Sequence, residues 1–425
     1  MKIALFHNLP PGGAKRALFE HAKALRQRGH RLDAYTTSVA AENFLPLAPY
    51  CDNVYTYDAP ARESTQHLPG PLQKVHSFLT GYRVAIKVLE QWEQLYRGMA
   101  MDIERRGYDL VYAHNCRVLQ SPHLLYCLKL PTLYYCQDSL RYFHEWSLHT
   151  PEDYDRVRVP VGKVKFHGHI VTETVHRIWE ACADRDTLHA RSADRVLVNS
   201  FYSREVMVRE YGINPHVCYL GVDTDYFSPT IPFEDRRQVV VGVGAIGEHK
   251  RYDFLIDAVG QIPQERRPPL EIYGYDLIGQ EGEESTLLKQ LRVRAAKQNV
   301  ELTVHRDVTD DLIRDAYQKA GVVAFVPQLE PFGFIPLEAM ACGAPVVGIA
   351  EGGVRESIVR GETGLLIERD PQQFGEALDT VLNDKRQARR ISEQGRENVC
   401  RCWTWQHSTD RLIEQMMQLP QVSAT

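Results

Sequence analysis

A chain of 425 residues exceeds the size of one ordinary hydrophobic core, so two domains are expected. Its composition, 44% hydrophobic and 25% charged with a formal net charge of −5, is that of a globular protein and argues against wholesale nucleic-acid binding, which favours a basic balance. No apolar run reaches the roughly 18 residues of a spanning helix, and nine cysteines without paired C-x-x-C ligand spacing read as reduced, mostly buried thiols of a cytosolic protein.

The first run, KIALF over 2–6, is too short for a signal-peptide core and reads as a buried strand. PPGGAKRALFEHAKAL then places Gly12 and Gly13 between that strand and a helix over 14–27. Glycines there let the backbone approach a phosphate at a helix start, although a Gly-Gly pair alone usually marks only a turn. Residues 72–105 carry apolar residues at helical spacing. Strand 110–113 ends at His114, and strand 132–136 runs into Gln137 and Asp138. Strand C-termini are where α/β sheets bind ligands, but a lone histidine is more often structural. Within 155–191 the basic stretch RVRVPVGKVKFHGH reads first as a solvated face, and second as a docking surface for an anionic acceptor or a membrane. Strand 195–198 completes the first half.

The stretch 222–238, VDTDYFSPTIPFEDRRQ, has no helical period and suits a linker; its DTD reads as ordinary turn acids. Beyond it come strands at 239–243, 270–273, 322–326 and 345–349, and helices at 252–260, 285–297, 310–319 and 371–382. These strands are continuous apolar runs, the mark of strands buried on both faces of a parallel sheet. The alternation predicts α/β architecture with two doubly wound domains: 1–222, 223–402, and a helical segment 403–425 expected to cross back to the first domain.

Two features of the second half carry chemistry. In VVVGVGAIGEHKRYDFLIDAV, Gly242, Gly244 and Gly247 form a literal G-x-G-x-x-G between a strand and a helix, the dinucleotide fingerprint, with Asp276 as a late candidate for the ribose acid. A nicotinamide-dependent oxidoreductase is therefore one reading. It leaves EPFGFIPLEAMACGAPVV, 330–347, unexplained. Pro336 suits the first turn of a helix and Gly343 the position after its end, predicting a helix over 336–342 with Glu330 before it and Glu338 in its first turns. Two carboxylates flanking an anion-attracting helix start need partners in so apolar a setting. Backbone amides of Phe332, Gly333 and Phe334 suit a diphosphate, and each carboxylate suits a pair of vicinal hydroxyls. Hydroxyls at both ends of a diphosphate describe a nucleotide-sugar.

E-P-F-G-F-I-P-L-E resembles the E-x7-E motif of family 4 glycosyltransferases, retaining enzymes of the GT-B fold, and ACGAPVVGIAEGGVRESIVRGETGLLI continues the resemblance without a gap. NSFYSREVMVREYG and YLGVDTDYF are similar to the segment that closes the first domain in these enzymes. The resemblance is strongest over 190–385. It implies two Rossmann-like domains facing a cleft, transfer of a hexose from a nucleotide-diphosphate sugar to an acceptor hydroxyl, no metal requirement, and retention of anomeric configuration. It assigns Glu330 to the donor sugar and Glu338 to the ribose, with Leu337 in the same donor-binding segment. Lys250 fits the lysine that neutralises the diphosphate, whereas Ala245 stands where an arginine is usual, leaving Arg251 as a substitute cation. Gly12 and Gly13 match a G-G-A-E-R element, with Lys15 in place of its glutamate. His114 matches a histidine near the reacting centre, and Gln137 and Asp138 an acceptor-side stretch. The resemblance leans towards GDP-mannose over a UDP-sugar. The acceptor, a glycan, lipid-linked glycan or small molecule, stays open, as do a catalytically silent donor-binding role and a peripheral contact of the first domain with the inner membrane surface. No nucleic-acid partner is expected.

Overall fold

The structure, a computed structural model, describes residues 1–60, 70–139, 158–159, 162–163, 169–276 and 283–419, with backbone alone over 70–81 and 158–175. It divides into two units: Met1–Asn199 with Ser203–Cys218 and Thr409–Thr425, and Ser200–Tyr202 with Tyr219–Ser408. The side chains of the basic stretch at 156–169, and residues 140–143 of the acceptor-like stretch, lie outside the described residues.

In chain order the first half runs β1 (Lys2–Asn8), α1 (Gly13–Gln27), β2 (Arg31–Thr37), β3 (Asn53–Tyr57), α2 (Gly70–Arg105), β4 (Leu110–Cys116), α3 (Leu124–Cys127), β5 (Thr132–Cys136), a two-stranded ribbon of β6 (Arg158–Val159) and β7 (Gly162–Lys163), α4 (His169–Arg191), β8 (Arg195–Val198), α5 (Phe201–Val206) and β9 (His216–Val217). The main sheet of unit 1 is parallel in the order β3-β2-β1-β4-β5-β8-β9. Side chains alternate across it. Phe6, Val111, Ala113 and Tyr134 face a core completed by Tyr96, Met99 and Ile103 of α2. On β4 and β5 the alternate residues Tyr112, His114 and Tyr135 form a ring cluster with His21 of α1.

The second half runs β10 (Val240–Val243), α6 (Tyr252–Gln261), β11 (Leu270–Gly274), α7 (Thr286–Lys297), β12 (Leu302–Arg306), α8 (Asp310–Lys319), β13 (Val322–Phe325), α9 (Phe334–Ala341), β14 (Val346–Ile349), α10 (Val354–Ser357), β15 (Leu365–Ile367), α11 (Pro371–Asn383), α12 (Lys385–Cys402) and α13 (Trp405–Met417). Its six strands are parallel in the order β12-β11-β10-β13-β14-β15. Helix starts follow local chemistry: the side chains of Ser285, Thr309, Asp370 and Asp384 each accept a backbone N–H in the first turn of α7, α8, α11 and α12. In 222–238, Asp223 Oδ1 accepts the amides of Asp225 (3.1 Å) and Tyr226 (2.9 Å), so its DTD acid closes a turn. α13 passes from unit 2 into unit 1 at Thr409 and buries Leu412 and Met416 there.

Each sheet reverses strand order once, between β1 and β4 in unit 1 and between β10 and β13 in unit 2. In doubly wound sheets the carboxyl ends of such a pair of strands are where ligands bind. Among the described residues, no helix is long and apolar enough to cross a membrane.

Candidate active site

In unit 2 the two switch-point strands deliver the two charged partners. β10 ends at Val243, and the loop beyond it carries Lys250 on a short 3-10 turn. β13 ends at Phe325, and the loop beyond it carries Glu330. Lys250 Nζ donates to Glu330 Oε2 at 2.8 Å, the two side chains being 14% and 27% exposed. The pair is therefore mostly shielded from water and screened less by salt than a surface pair.

Glu338 lies one turn into α9 and is 9% exposed. Tyr317 of α8 donates its hydroxyl to Glu338 Oε2 at 3.1 Å. Burial, reinforced by the Glu338 charge, pushes the Tyr317 phenol far above its ordinary range, so it remains a donor. α9 starts at Phe334, two residues before the position expected from Pro336, because Gly333 takes a left-handed φ of 87° as its N-cap. Pro336 then sits at the third helical position, where its missing N–H is one that the helix cannot pair anyway. The amides without an intrahelical partner are those of Gly333, Phe334 and Ile335, one residue later than the expected set. At the other end of α9, Arg236 donates to Cys342 O at 2.7 Å and Arg396 to Ala341 O at 2.7 Å. Two cations on the C-terminal carbonyls complement the helix dipole.

The Glu330 loop is clamped by backbone. Gly353 N donates to Glu330 O at 2.9 Å. A Cβ on Gly353 would lie 2.0 Å from Pro331 O, and one on Gly352 2.4 Å from Glu330 O. Arg369 braces the same loop through Val326 O (3.1 Å) and Pro327 O (3.2 Å), and Glu351 holds Arg369 at 2.7 Å. On the flank, Glu356 accepts the amides of Phe201 (2.8 Å) and Tyr202 (2.9 Å) and the Tyr219 hydroxyl (2.8 Å). Tyr317, Arg369 and Glu356 were not singled out from the sequence. The E-G-G run belongs to the segment that carries the resemblance, and its adjacent glycines are themselves a sign of close backbone approach.

Other expected residues fare differently. Arg251 does not join Lys250: it caps α6 in a left-handed conformation at φ 52°, and Asp253 holds its guanidinium at 3.1 and 3.2 Å. Leu337 is wholly buried, so its side chain meets the core of unit 2 and not a ligand. Phe332 is also buried, edge-on to Phe334 at 5.2 Å, which leaves backbone as the contribution of that segment. The G-x-G-x-x-G run does not open onto a helix. Gly242 lies inside β10 against Tyr252 and Leu255, and α6 begins only at Tyr252. Gly244, at φ 129°, passes so close to β11 that a Cβ on Gly274 would meet its carbonyl oxygen at 2.0 Å. These glycines serve packing within the fold. Ile246 bridges to Asp276. A cavity of about 430 Å³ beside the loop is lined by His249, Arg251, Tyr252, Asp253 and Gln328, but not by Lys250, Glu330 or Glu338. Coordinated charge, and not cavity volume, marks this site.

In unit 1, Gly12 caps α1 with a φ of 146° and open space around the place of a Cβ. Lys15, in the first turn, is wholly buried. Its ammonium is paired with Glu42, which also accepts from His7 Nε2 at 2.8 Å, and Lys15 Nζ lies 3.2 Å from His7 Nε2. Burial raises the Glu42 carboxyl, but the hydrogen bonds and charges of His7 and Lys15 outweigh it and hold the group at about 2. His114 is wholly buried. Its Nδ1 lies 3.3 Å from Gln137 Nε2, and its Nε2 has no partner among the described residues. Burial, with the nearby His21, His7 and Lys15, holds the ring neutral. Gln137 is buried, its amide donating to Asn115 Oδ1 at 2.8 Å, whereas Asp138 is exposed.

Comparison with known proteins agrees with this layout. The family described as Glycosyltransferase Family 4 matches residues 11–226, and Glycosyl transferases group 1 matches 223–398. Among curated proteins, the D-inositol 3-phosphate glycosyltransferase of Geodermatophilus obscurus is 29% identical over 238 residues, 52% of each chain. The mannosylfructose-phosphate synthase of Agrobacterium fabrum is 27% identical over 241 residues, again 52% of each. The chain thus spans about half the length of the curated relatives it matches. Among solved structures, Anabaena HepE in complex with UDP and glucose superposes with a TM-score of 0.66 at 21% identity, over 99% of this chain and 100% of that one. The sucrose-phosphate synthase of Thermosynechococcus elongatus gives 0.71 at 19%, over 98% of each. Two parallel-sheet Rossmann-like units, matched end to end by GT-B glycosyltransferase structures and by the family along the chain, place this protein among the family 4 glycosyltransferases.

Proposed function

We propose that the protein transfers a hexose from a nucleotide-diphosphate sugar to an acceptor hydroxyl, with retention of configuration. The observation that carries this reading is the Lys250–Glu330 pair at the ends of the two switch-point strands, beside a helix start that holds Glu338 one turn in. Glu338, oriented by Tyr317, grips the ribose hydroxyls. The amides of Gly333, Phe334 and Ile335 take the diphosphate. Lys250 is held at the loop by Glu330 until the donor arrives, then neutralises the departing diphosphate, while Glu330 accepts hydroxyls of the sugar. Attack comes from the face the diphosphate leaves, and the leaving oxygen takes the acceptor proton. Charge develops on the leaving group in the transition state, so a preplaced cation stabilises that state more than the ground state. The reaction needs no metal ion. His114, kept neutral, offers Nε2 to a sugar hydroxyl.

The acceptor is a glycan, lipid-linked glycan or small molecule, and the protein works in the cytoplasm. A structure of this fold holds UDP-glucose, so that donor heads the panel together with GDP-mannose. The test is thermal unfolding with UDP, GDP, ADP, NAD and NADP, using Glu338→Ala as control. Ligand at about 100 Kd adds roughly 2.7 kcal/mol. A shift with UDP or GDP that is lost in the variant is expected. A shift with NAD alone would sink the reading.

A further inference from the structure

Unit 1 contains a second group of convergent ligating atoms that the transfer reaction does not use. Glu93 of α2, His123 just before α3, and His189 in the last turn of α4 each bring one ligand atom within 4.8 Å of the other two. Both histidines are buried. His123 Nδ1 lies 2.9 Å from His189 Nε2, and the rings meet edge-on. His189 Nδ1 faces Ser121 O at 3.3 Å, so that nitrogen carries the proton and Nε2 presents its lone pair to the cluster. A metal-binding histidine is usually held in this way, by a carbonyl on its other nitrogen. His123 Nε2, also buried, has no partner among the described residues. Arg185 holds one oxygen of Glu93 at 3.1 Å, as ligating carboxylates are usually held in turn. A cavity of about 10 Å³ bounded by Glu93, His123, His189, Tyr96, Cys116 and Ser121 has the volume of one water.

We propose that Glu93, His123 Nδ1 and His189 Nε2 bind one divalent transition-metal ion, of the zinc class, with a water as fourth ligand. Two imidazoles and a carboxylate suit zinc. Ligands at about 2.0–2.1 Å in a tetrahedron lie roughly 3.3 Å apart, so the two rings part by a few tenths of an ångström. The ion takes the place of the proton that His123 Nδ1 donates to His189 Nε2; His123 then carries its one ring proton on Nε2, so both imidazoles bind in the neutral form. The ligands come from α2, the loop after β4, and α4. These pack on the sheet face of Val111 and Ala113, whereas His114 lies with Tyr112 and Tyr135 on the other. The ion is a clip between two long helices and the loop, and it does not touch the reacting groups. This inference stands independently of the proposed transfer reaction.

The test uses the full chain, stripped with chelator and then titrated with Zn2+ and, separately, Co2+. The expected result is one equivalent of each ion, a tetrahedral visible spectrum with Co2+, and a Zn2+-dependent rise in the melting temperature. His189→Asn should abolish this. Glu93→Gln, a near-isosteric change at a partly exposed side chain, should weaken it more than about tenfold. His176→Gln, elsewhere on α4, should leave it unchanged. If His189→Asn does not fold, Glu93→Gln decides alone. Absence of binding to the wild type, or equal binding by the wild type and Glu93→Gln, overturns the proposal.

Discussion

Replacing Lys250 by alanine separates a catalytic cation from a structural one. The ammonium makes one charge-assisted hydrogen bond, to Glu330 at 2.8 Å, in a pair 14% and 27% exposed. In the folded protein its loss leaves a carboxylate that water can reach. The cost to stability is then about 1 kcal/mol or less, a fall of no more than roughly 4 °C in melting temperature for a unit of this size. In the proposed transfer the same ammonium would face a diphosphate gaining charge, where a charge-assisted bond contributes about 1.5–3 kcal/mol. That is roughly a ten- to 150-fold loss in kcat/KM, and most of it should fall on kcat because the charge grows as the bond breaks. Ala245 leaves the position of a second cation empty of charge, which puts the loss towards the upper end. The assay is nucleotide release from UDP-glucose and GDP-mannose, with and without candidate acceptors, alongside a melt of each variant. Lys250→Arg should recover part of the rate. If Lys250→Ala keeps kcat/KM within about threefold, or loses it together with more than about 10 °C of stability, the reasoning is refuted.

Tyr317→Phe removes the hydroxyl that orients Glu338, a bond to a charged acceptor, and should weaken nucleotide binding about tenfold or more, read by calorimetry. An unchanged Kd would separate Tyr317 from the site. Gly353→Ala drives a Cβ to 2.0 Å from Pro331 O and should displace the Glu330 loop, abolishing turnover while unit 1 unfolds as in the wild type; full turnover would show that the loop does not depend on that approach. Stability should also fall in acid. His21 and His189 are held at about 3 and His114 well below its ordinary value, each chiefly by burial. Below about 6.5 the unfolded chain takes up these three protons while the native protein does not, so stability drops as pH falls. Asp186, raised to about 6 by burial, acts in the opposite sense between its unfolded value and 6. These four groups together give roughly two protons, about 3 kcal/mol per pH unit near pH 5, and His7 and His123, also lowered chiefly by burial, act in the same direction as the three histidines. Urea melts that do not weaken from pH 7 to 5 would contradict it.

How far the sequence carried depends on what each element buries. β10, β13 and β14 are sealed on both faces and read as apolar runs. β2 (RLDAYTT) was missed because Asp33 breaks its pattern. In the fold that carboxylate is matched by the Tyr108 hydroxyl at 2.7 Å and the Asn53 amide at 2.8 Å, which no periodicity reveals. β12 is an edge strand, half-exposed and polar. α12 buries only a stripe through Ala388, Ile391 and Val399, too narrow to stand out among its charges. Of the candidate site, the local run from Glu330 through Glu338 is the part that a linear pattern can carry. The meeting of Lys250 with Glu330 depends on two loops brought together by the strand order, and no local pattern carries it. Tyr317 and the Glu93, His123 and His189 group are invisible for the same reason. The pairing of Arg251 with Asp253, two residues on, is local but was not read from the sequence.

The boundary between the units has a consequence for recombination. The chain leaves unit 1 after Cys218 and re-enters it at Thr409, and on the unit 2 side the two passages are laced together: Val222 N donates to Trp403 O at 2.8 Å, and Gly221 runs so near Thr404 that a Cβ would lie 2.4 Å from its carbonyl carbon. A chimera that exchanges the second half with a relative at a single crossover near 222 splits this lacing between two parents, and also sets a foreign Leu412 and Met416 into the first parent's core. The long segment of unit 2, Tyr219–Ser408, can be inherited as a block only with two crossovers, one near 218 and one near 408, and its Glu356 must still meet the first parent's backbone at Phe201 and Tyr202.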